Sequence, residues 1–204
     1  MNFTEQSLRK FTEELASKTP VPGGGGAAAY AGALAAALAD MVGEFTVGKK
    51  KYAQVEPEIR LAMQKAQELR EQLLACIEKD AAAFEPLSKA YAIPKDDPDR
   101  DTVMEACLQQ AAAVPMEILD LSAQVIQLAD EFAKKGSIMM LSDAACAAAI
   151  GLAALKSAAV NVKINTKSMK DRTCAKQLDE KTDYMLKEFS SLADLVFESV
   201  YAKY

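Results

Sequence analysis

The polar and apolar positions of this chain fall into long runs at helical spacing, separated by a few sharp interruptions. Leu8, Phe11 and Leu15 share one face of a short first helix, for which Thr4 is the predicted N-cap. Thr19-Pro20-Val21-Pro22-Gly23-Gly24-Gly25-Gly26 then breaks the pattern. A second helix is predicted from about Ala27 to Thr46, rich in alanine and apolar nearly all round. A helix without a polar face belongs in the centre of a bundle. The basic run Lys49-Lys50-Lys51 closes it, as suits the negative end of a helix.

Pro57 is well placed as the first residue of a third helix reaching about Tyr91. Ile93 to Asp99 reads as a loop. A fourth helix starts near Asp101 and meets Pro115, which is expected to break or kink it ahead of a fifth ending near Lys134. After Gly136, Ser142 is the predicted cap of a sixth helix, again mostly apolar. A seventh runs from near Asp171 to the end of the chain, with Cys174, Leu178, Met185, Phe189, Leu192 and Val196 as its stripe. The predicted fold class is all-α. Residues 1–204 are expected to form a single-domain bundle of long antiparallel helices around two buried alanine-rich ones.

Composition narrows the chemistry. The 204 residues include no histidine and no tryptophan. Serine or cysteine nucleophiles activated by histidine, HExxH zinc sites and imidazole proton shuttles are therefore excluded. Acid–base work falls to Asp, Glu, Lys, Tyr or Cys. A net charge of −5 argues against a general nucleic-acid role, which needs a basic face. Cys76, Cys107, Cys146 and Cys174 are widely spaced within apolar helical stretches and read as reduced core thiols rather than a metal cluster. The first fifteen residues lack the pattern of a signal peptide, and the apolar run Ala27–Val42 is short for a bilayer span. A soluble cytoplasmic protein is the expectation.

Several polar residues stand where apolar ones are expected. Along the third helix the apolar stripe reads Ile59, Met63, Ala66, Leu69, Leu73, Ile77, then Asp80, Phe84 and Leu87. A buried carboxylate costs several kcal/mol unless it is paired, hydrogen-bonded or protonated, typically about 3–5 kcal/mol for a broken pair. Asp80 is thus either structural, in a salt bridge or an interhelical hydrogen bond, or a functional acid. On the sixth helix, Asn161 lies on the side of Asp143, with Ser157 and Asn165 within about 40° of it. That polar ladder suits either interhelical hydrogen bonds or recognition of a heterocycle. Asp143, one residue past Ser142, is equally ordinary first-turn dipole chemistry. The glycine run lacks the P-loop and dinucleotide patterns. It reads either as a flexible turn or as a backbone cradle ahead of a helix N-terminus. The lysines at 49–51 suit a solvated helix end or a carboxylate-bearing ligand.

Taken in order, the segments from Thr19 to Ala29, from Thr46 to Tyr52, Asp80-Ala81-Ala82-Ala83-Phe84, Val114-Pro115, Ser142-Asp143-Ala144-Ala145 and Asn161-Val162-Lys163-Ile164-Asn165 resemble the cyclodeaminase/cyclohydrolase family of folate one-carbon enzymes. The resemblance covers nearly the whole chain. It implies an all-helical homodimer that acts on tetrahydrofolate derivatives and needs no metal and no cofactor besides the folate substrate. It covers two reactions: hydrolysis of 5,10-methenyltetrahydrofolate to 10-formyltetrahydrofolate, and closure of 5-formiminotetrahydrofolate with loss of ammonia. The GGGGAAA and GKKKY segments, and a length without room for a formiminotransferase half, resemble the stand-alone cyclohydrolases.

On this resemblance Asp80 is the expected general base and then acid, and Asp143 a pterin anchor or partner carboxylate. Lys49 is expected to meet the substrate's glutamate or polarise water. Pro22, Gly23, Gly24, Gly25, Gly26, Ser142, Asn161 and Asn165 are the expected substrate-binding set. Two other classes predict different things. A folate binder without turnover keeps the scaffold but tolerates loss of Asp80, and an adaptor for other proteins exposes an apolar stripe along its long helices.

Overall fold

The computed structural model describes residues 2–204, which form six α-helices and two short 3-10 turns, with no strand among the described residues. The helices are α1 Leu8–Leu15, α2 Gly24–Glu44, α3 Glu56–Ala90, α4 Arg100–Lys135, α5 Leu141–Thr166 and α6 Arg172–Tyr201. The 3-10 turns are Lys50–Tyr52 and Ile138–Met140. At 1.5 Å per residue, α3 and α4 are each about 50 Å long and run the length of the molecule.

The bundle closes on large side chains drawn from four helices: Val42 of α2; Ile59, Leu69 and Leu73 of α3; Ile118, Leu119, Ile126 and Phe132 of α4; Leu155 of α5. All are fully buried. Gly32 permits close approach here, because a Cβ at that position would press on Leu73 at 3.0 Å and on the Ser122 hydroxyl at 3.3 Å. α2 and α5 lie side by side and antiparallel: Gly24 sits against Asn161, while Ala35 lies beside the Cβ position of Gly151.

Several boundaries differ from those the sequence predicts. Ser7, not Thr4, caps α1, accepting a hydrogen bond from the Lys10 amide, while the Thr4 hydroxyl is turned to Asn2. Leu8 is consequently exposed and only Phe11 of that stripe is fully buried. α5 begins at Leu141 with Met140 as its cap residue, so Ser142 lies within the first turn and its hydroxyl reaches Asp143 Oδ2 at 3.4 Å. The lysine run stands beyond the end of α2 at Glu44. Cys146 is exposed, unlike the core thiol expected, whereas Cys76 is buried; all four cysteines are free.

Pro115 does not divide α4, which continues to Lys135, so six helices stand where seven are predicted. A proline costs a helix one N–H and crowds the carbonyl four residues back. Here that carbonyl, of Ala111, is taken by the Asn165 side-chain amide at 3.3 Å. The helix is held through the proline by a neighbour.

The two apolar helices lie at the centre of the bundle, and each leaves a narrow strip open. On α2 the open residues include Leu34 and Met41, with Phe45 just past its end; on α5 they include Cys146, Ala149, Ala153, Val160 and Ile164. By length and composition, Gly24–Glu44 and Ile138–Thr166 are each long and apolar enough to cross a membrane, although 61% and 44% of their most apolar windows are buried in the bundle.

Candidate active site

The four-glycine segment does not form a loop ahead of a helix. Gly23 is the cap residue, and Gly24, Gly25 and Gly26 are the first turn of α2. The cradle expected from the glycine run is therefore a helix terminus, and the physical reason lies across the bundle. The Asp80 carboxylate of α3 packs directly on Gly25: a Cβ there would lie 2.6 Å from Oδ2 and closer still to Oδ1. The same construction at Gly24 meets Asn161 Nδ2 at 3.1 Å. A side chain at position 25 would displace the Asp80 carboxylate, while one at position 24 would press on Asn161.

Asp80 accepts a hydrogen bond from the Gly26 backbone N–H, one of the amides a helix start leaves without an internal partner. Burial pushes its carboxyl above the ordinary 3.8, and the Gly26 N–H opposes that shift without cancelling it. Among the described residues no cation forms an ion pair with Asp80, so the structural salt bridge is not what holds it. It is half-buried rather than sealed in the core, with its carboxylate at the edge of a cleft.

That cleft has a volume of about 140 Å³. Its floor and walls are Gly23, Gly24 and Gly25 of α2, Asp80 and Phe84 of α3, and Asn161 and Asn165 of α5. The Asn161 amide nitrogen donates to the Ser157 carbonyl at 2.8 Å and that of Asn165 to the Asn161 carbonyl at 2.8 Å. Both amide nitrogens are thus tied to their own helix. Their carboxamide oxygens accept no hydrogen bond among the described residues and remain able to receive one from a ligand. Beyond Pro20, Val21 and Phe84 the cleft continues into a larger, mostly apolar groove of about 510 Å³ along α3, bounded by Ala81, Ala82 and Ser88. A ligand pocket of ordinary size is about 300–1,000 Å³. The two cavities together fall in that range; the polar cleft alone does not.

The remaining expected residues are elsewhere. Pro22 is buried under Gly26 and supports the turn rather than lining the cleft. Ser142 and Asp143 lie at the opposite end of α5, about 27 Å along the helix axis from Asn161. Lys49 lies at that same far end, with its ammonium donating to the Ser137 hydroxyl at 3.2 Å. Ser157, which shares the helix face, is exposed outside the cleft. One chain therefore assembles the glycines, Asp80, Asn161 and Asn165, and does not bring Lys49, Ser142 or Asp143 to them.

Phe84, Ile164 and the pair Ala111–Pro115 also line the cleft. Phe84 follows Asp80 by one helical turn, so its place on the same face was available from spacing. The role of Pro115 was not, because it depends on a carbonyl left free on another helix. No group of three or more His, Cys, Asp or Glu side chains is arranged to hold a metal ion among the described residues.

The sequence and the fold of this helical bundle are shared with known proteins. Residues 7–184 match the family model described as formiminotransferase-cyclodeaminase, and the chain belongs to that family. It is 37% identical over 202 residues to a methenyltetrahydrofolate cyclohydrolase of Methylorubrum extorquens, covering 97% of each chain. It is 32% identical to the formimidoyltransferase-cyclodeaminase of Rattus norvegicus, spanning 99% of this chain but 38% of that protein. The crystal structure of formiminotetrahydrofolate cyclodeaminase from Thermotoga maritima superposes with a TM-score of 0.86 at 30% identity, covering 97% of this chain and 98% of the other.

Proposed function

We propose that the protein is a methenyltetrahydrofolate cyclohydrolase, a cytoplasmic enzyme that works as a homodimer. The observation that carries this reading is Asp80: a carboxylate raised in pKa by burial, held by Gly26, without a cation, and facing a cleft lined by asparagines. The Methylorubrum relative, matched along both whole lengths, supports the hydrolytic reaction in particular.

The methenyl carbon of the substrate is an amidinium-like cation. Asp80, ionised, stabilises that charge and accepts a proton as the oxygen of water bonds to the carbon. The resulting neutral adduct collapses when the carbon–N5 bond breaks. Asp80 returns its proton to N5, and the hydroxyl proton leaves to solvent as the formyl group forms on N10. A raised pKa suits both halves, since the group must give up its proton as readily as it takes it. The carboxamide oxygens of Asn161 and Asn165 receive N–H groups of the pterin, and the groove beyond Phe84, where Lys89 lies, takes the p-aminobenzoylglutamate remainder of the molecule.

The loss of methenyltetrahydrofolate absorbance, corrected for spontaneous hydrolysis at the same pH, tests the reading. Protein-dependent decay that saturates with substrate supports it; decay equal to background overturns it. The second reading, cyclodeamination of 5-formiminotetrahydrofolate, is favoured by the Thermotoga structure. It predicts the opposite signal, a protein-dependent rise in the same absorbance with release of ammonia.

A further inference from the structure

Two grooves meet the Asp80 cleft at Pro20 and Val21. One is the groove along α3; the other, of about 490 Å³, passes Lys10, Glu13 and Glu14 of α1. A ligand whose ring system fills the cleft extends its tail between charged walls. On α3 the wall presents Glu78, Glu85 and Lys89 within an arc of about 40°. Lys89 is the cation of that wall, and its ammonium lies 2.7 Å from Glu85 Oε1. Lys10 in the second groove is likewise paired, with Glu14 at 3.3 Å. Glu78 and Glu13 pair with no cation among the described residues. Glu78 is held instead by the backbone N–H groups of Phe3 and Thr4. The two grooves together carry four carboxylates and two ammonium groups, and both ammonium groups are taken.

The first groove also holds a polar group of the backbone. Pro86 lies inside α3 and has no N–H to give the carbonyl four residues back. That carbonyl belongs to Ala82, which is exposed and lines the groove. The comparable carbonyl of Ala111, beside Pro115, is taken by Asn165. That of Ala82 receives no side-chain donor among the described residues.

We infer that this groove selects folates by the length of their glutamate tail: it docks a single glutamate on the Ala82 carbonyl and Lys89, and it disfavours γ-linked extensions. The inference rests on the proposed folate reaction. The p-aminobenzoyl ring lies along Ala81 and Ala82, and the amide N–H joining it to glutamate donates to the Ala82 carbonyl. A carboxylate of that glutamate meets Lys89. An ammonium has three N–H donors, so Lys89 holds Glu85 and one ligand carboxylate together.

Each further γ-glutamyl residue brings another carboxylate and finds no unpaired cation in either groove. It meets Glu85, Glu78 or the acidic rim of α1 instead. Repulsion between exposed like charges is screened by salt, over a Debye length of about 10 Å at 0.1 M. Selection against the tail is therefore salt-sensitive, whereas docking of the ring and its amide is not.

The test is the methenyl assay with substrates carrying one or three glutamates. At low salt the wild type is expected to show a several-fold higher KM for the triglutamate at equal kcat, and a KM ratio near one in about 0.5 M sodium chloride. Glu85 is exposed, so its replacement leaves the core intact. Glu85→Lys is expected to bring the triglutamate KM below that of the monoglutamate. Glu188→Lys, an equal change of charge at an exposed position of α6, is expected to leave the ratio at its wild-type value. Pro86→Ala returns a donor to the Ala82 carbonyl and is expected to raise both KM values together.

A wild-type triglutamate KM equal to or below that of the monoglutamate overturns the inference. So does a ratio unmoved by salt or by Glu85→Lys, a ratio moved as far by Glu188→Lys, or unchanged KM values in Pro86→Ala. Turnover of neither substrate by the wild type overturns the folate reading, and the inference with it; turnover of both at one KM overturns the inference alone.

Discussion

The carboxylate of Asp80 occupies the space that a side chain on Gly25 would need. Its Oδ2 lies 2.6 Å from the position a Cβ would take, with Oδ1 nearer. Acid and glycine are therefore one device on two helices: α3 supplies the charge, and α2 supplies a first turn without side chains, whose free N–H at Gly26 fixes it. Gly25→Ala is expected to push the carboxylate out of place. Overpacking of this kind costs about 1–3 kcal/mol, and turnover should fall with it. Gly26→Ala, whose Cβ would meet only Pro22 at 3.5 Å and Ile77 at 3.7 Å, is expected to keep both stability and activity. Thermal melts and steady-state assays of the two variants, side by side, check the contrast.

Replacing Asp80 by asparagine removes the charge while leaving an oxygen to accept the Gly26 N–H. Loss of a general acid–base group slows a reaction by about 10²–10⁴-fold. That drop in kcat, with substrate binding retained, is the expected outcome. Stability should move the other way. The desolvation that raises the carboxyl is a cost to the folded state at neutral pH, so the variant is expected to melt higher, by about 2–4 °C for each kcal/mol relieved in a chain this long. An inactive variant that melts lower than wild type would instead assign Asp80 a structural cap.

The pH dependence follows from the same shift. Because the folded-state value lies above the ordinary 3.8, the folded protein holds the Asp80 proton more tightly than the unfolded chain does. Stability from this group is thus greatest with the carboxyl protonated, falls as pH rises from the ordinary value through the raised one, and is level above that. The stability advantage of Asp80→Asn should therefore be full at neutral pH and close in acid. Catalysis has the opposite sign, since the base must be ionised. kcat/KM is expected to rise with pH through that same window, and the transition should be absent from the residual activity of Asp80→Asn.

The helices were legible in the sequence because apolar spacing, Pro57 at the start of α3 and Asp171 at the start of α6 are local signals. The cap at Ser7 and the continuity of α4 were not. Thr4 and Ser7 are chemically equal as caps, and Pro115 is tolerated only because Asn165, fifty residues on, takes the orphaned carbonyl. The site was half legible. Asp80, Asn161 and Asn165 stood out as polar residues on apolar stripes, and they converge. Asp143 shares the angular face of Asn161, but a helical projection discards distance along the axis, and that distance separates them. An apolar helix also reads the same whether its last open face is covered by its own chain or by another. The two alanine-rich helices are central to the bundle, as their composition predicts, and each keeps a narrow open strip.

Pro115 gives a final test, one that separates packing from function. Pro115→Ala restores an N–H to α4 and lets it donate to the Ala111 carbonyl, as in an unbroken helix. Asn165 then loses that acceptor and keeps only its bond to the Asn161 carbonyl. The helix itself should gain, because a proline in a helix interior costs about 3 kcal/mol relative to alanine, although a site already accommodated by its neighbours will return less. The side chain of Asn165, released from α4, is expected to sample other rotamers and hold the substrate less well. A variant that melts higher yet shows a several-fold rise in KM at little change in kcat is the expected result, measured by thermal denaturation and by the methenyl assay over a substrate range. Unchanged KM would mean that the Asn165–Ala111 contact braces the proline and does nothing for the cleft.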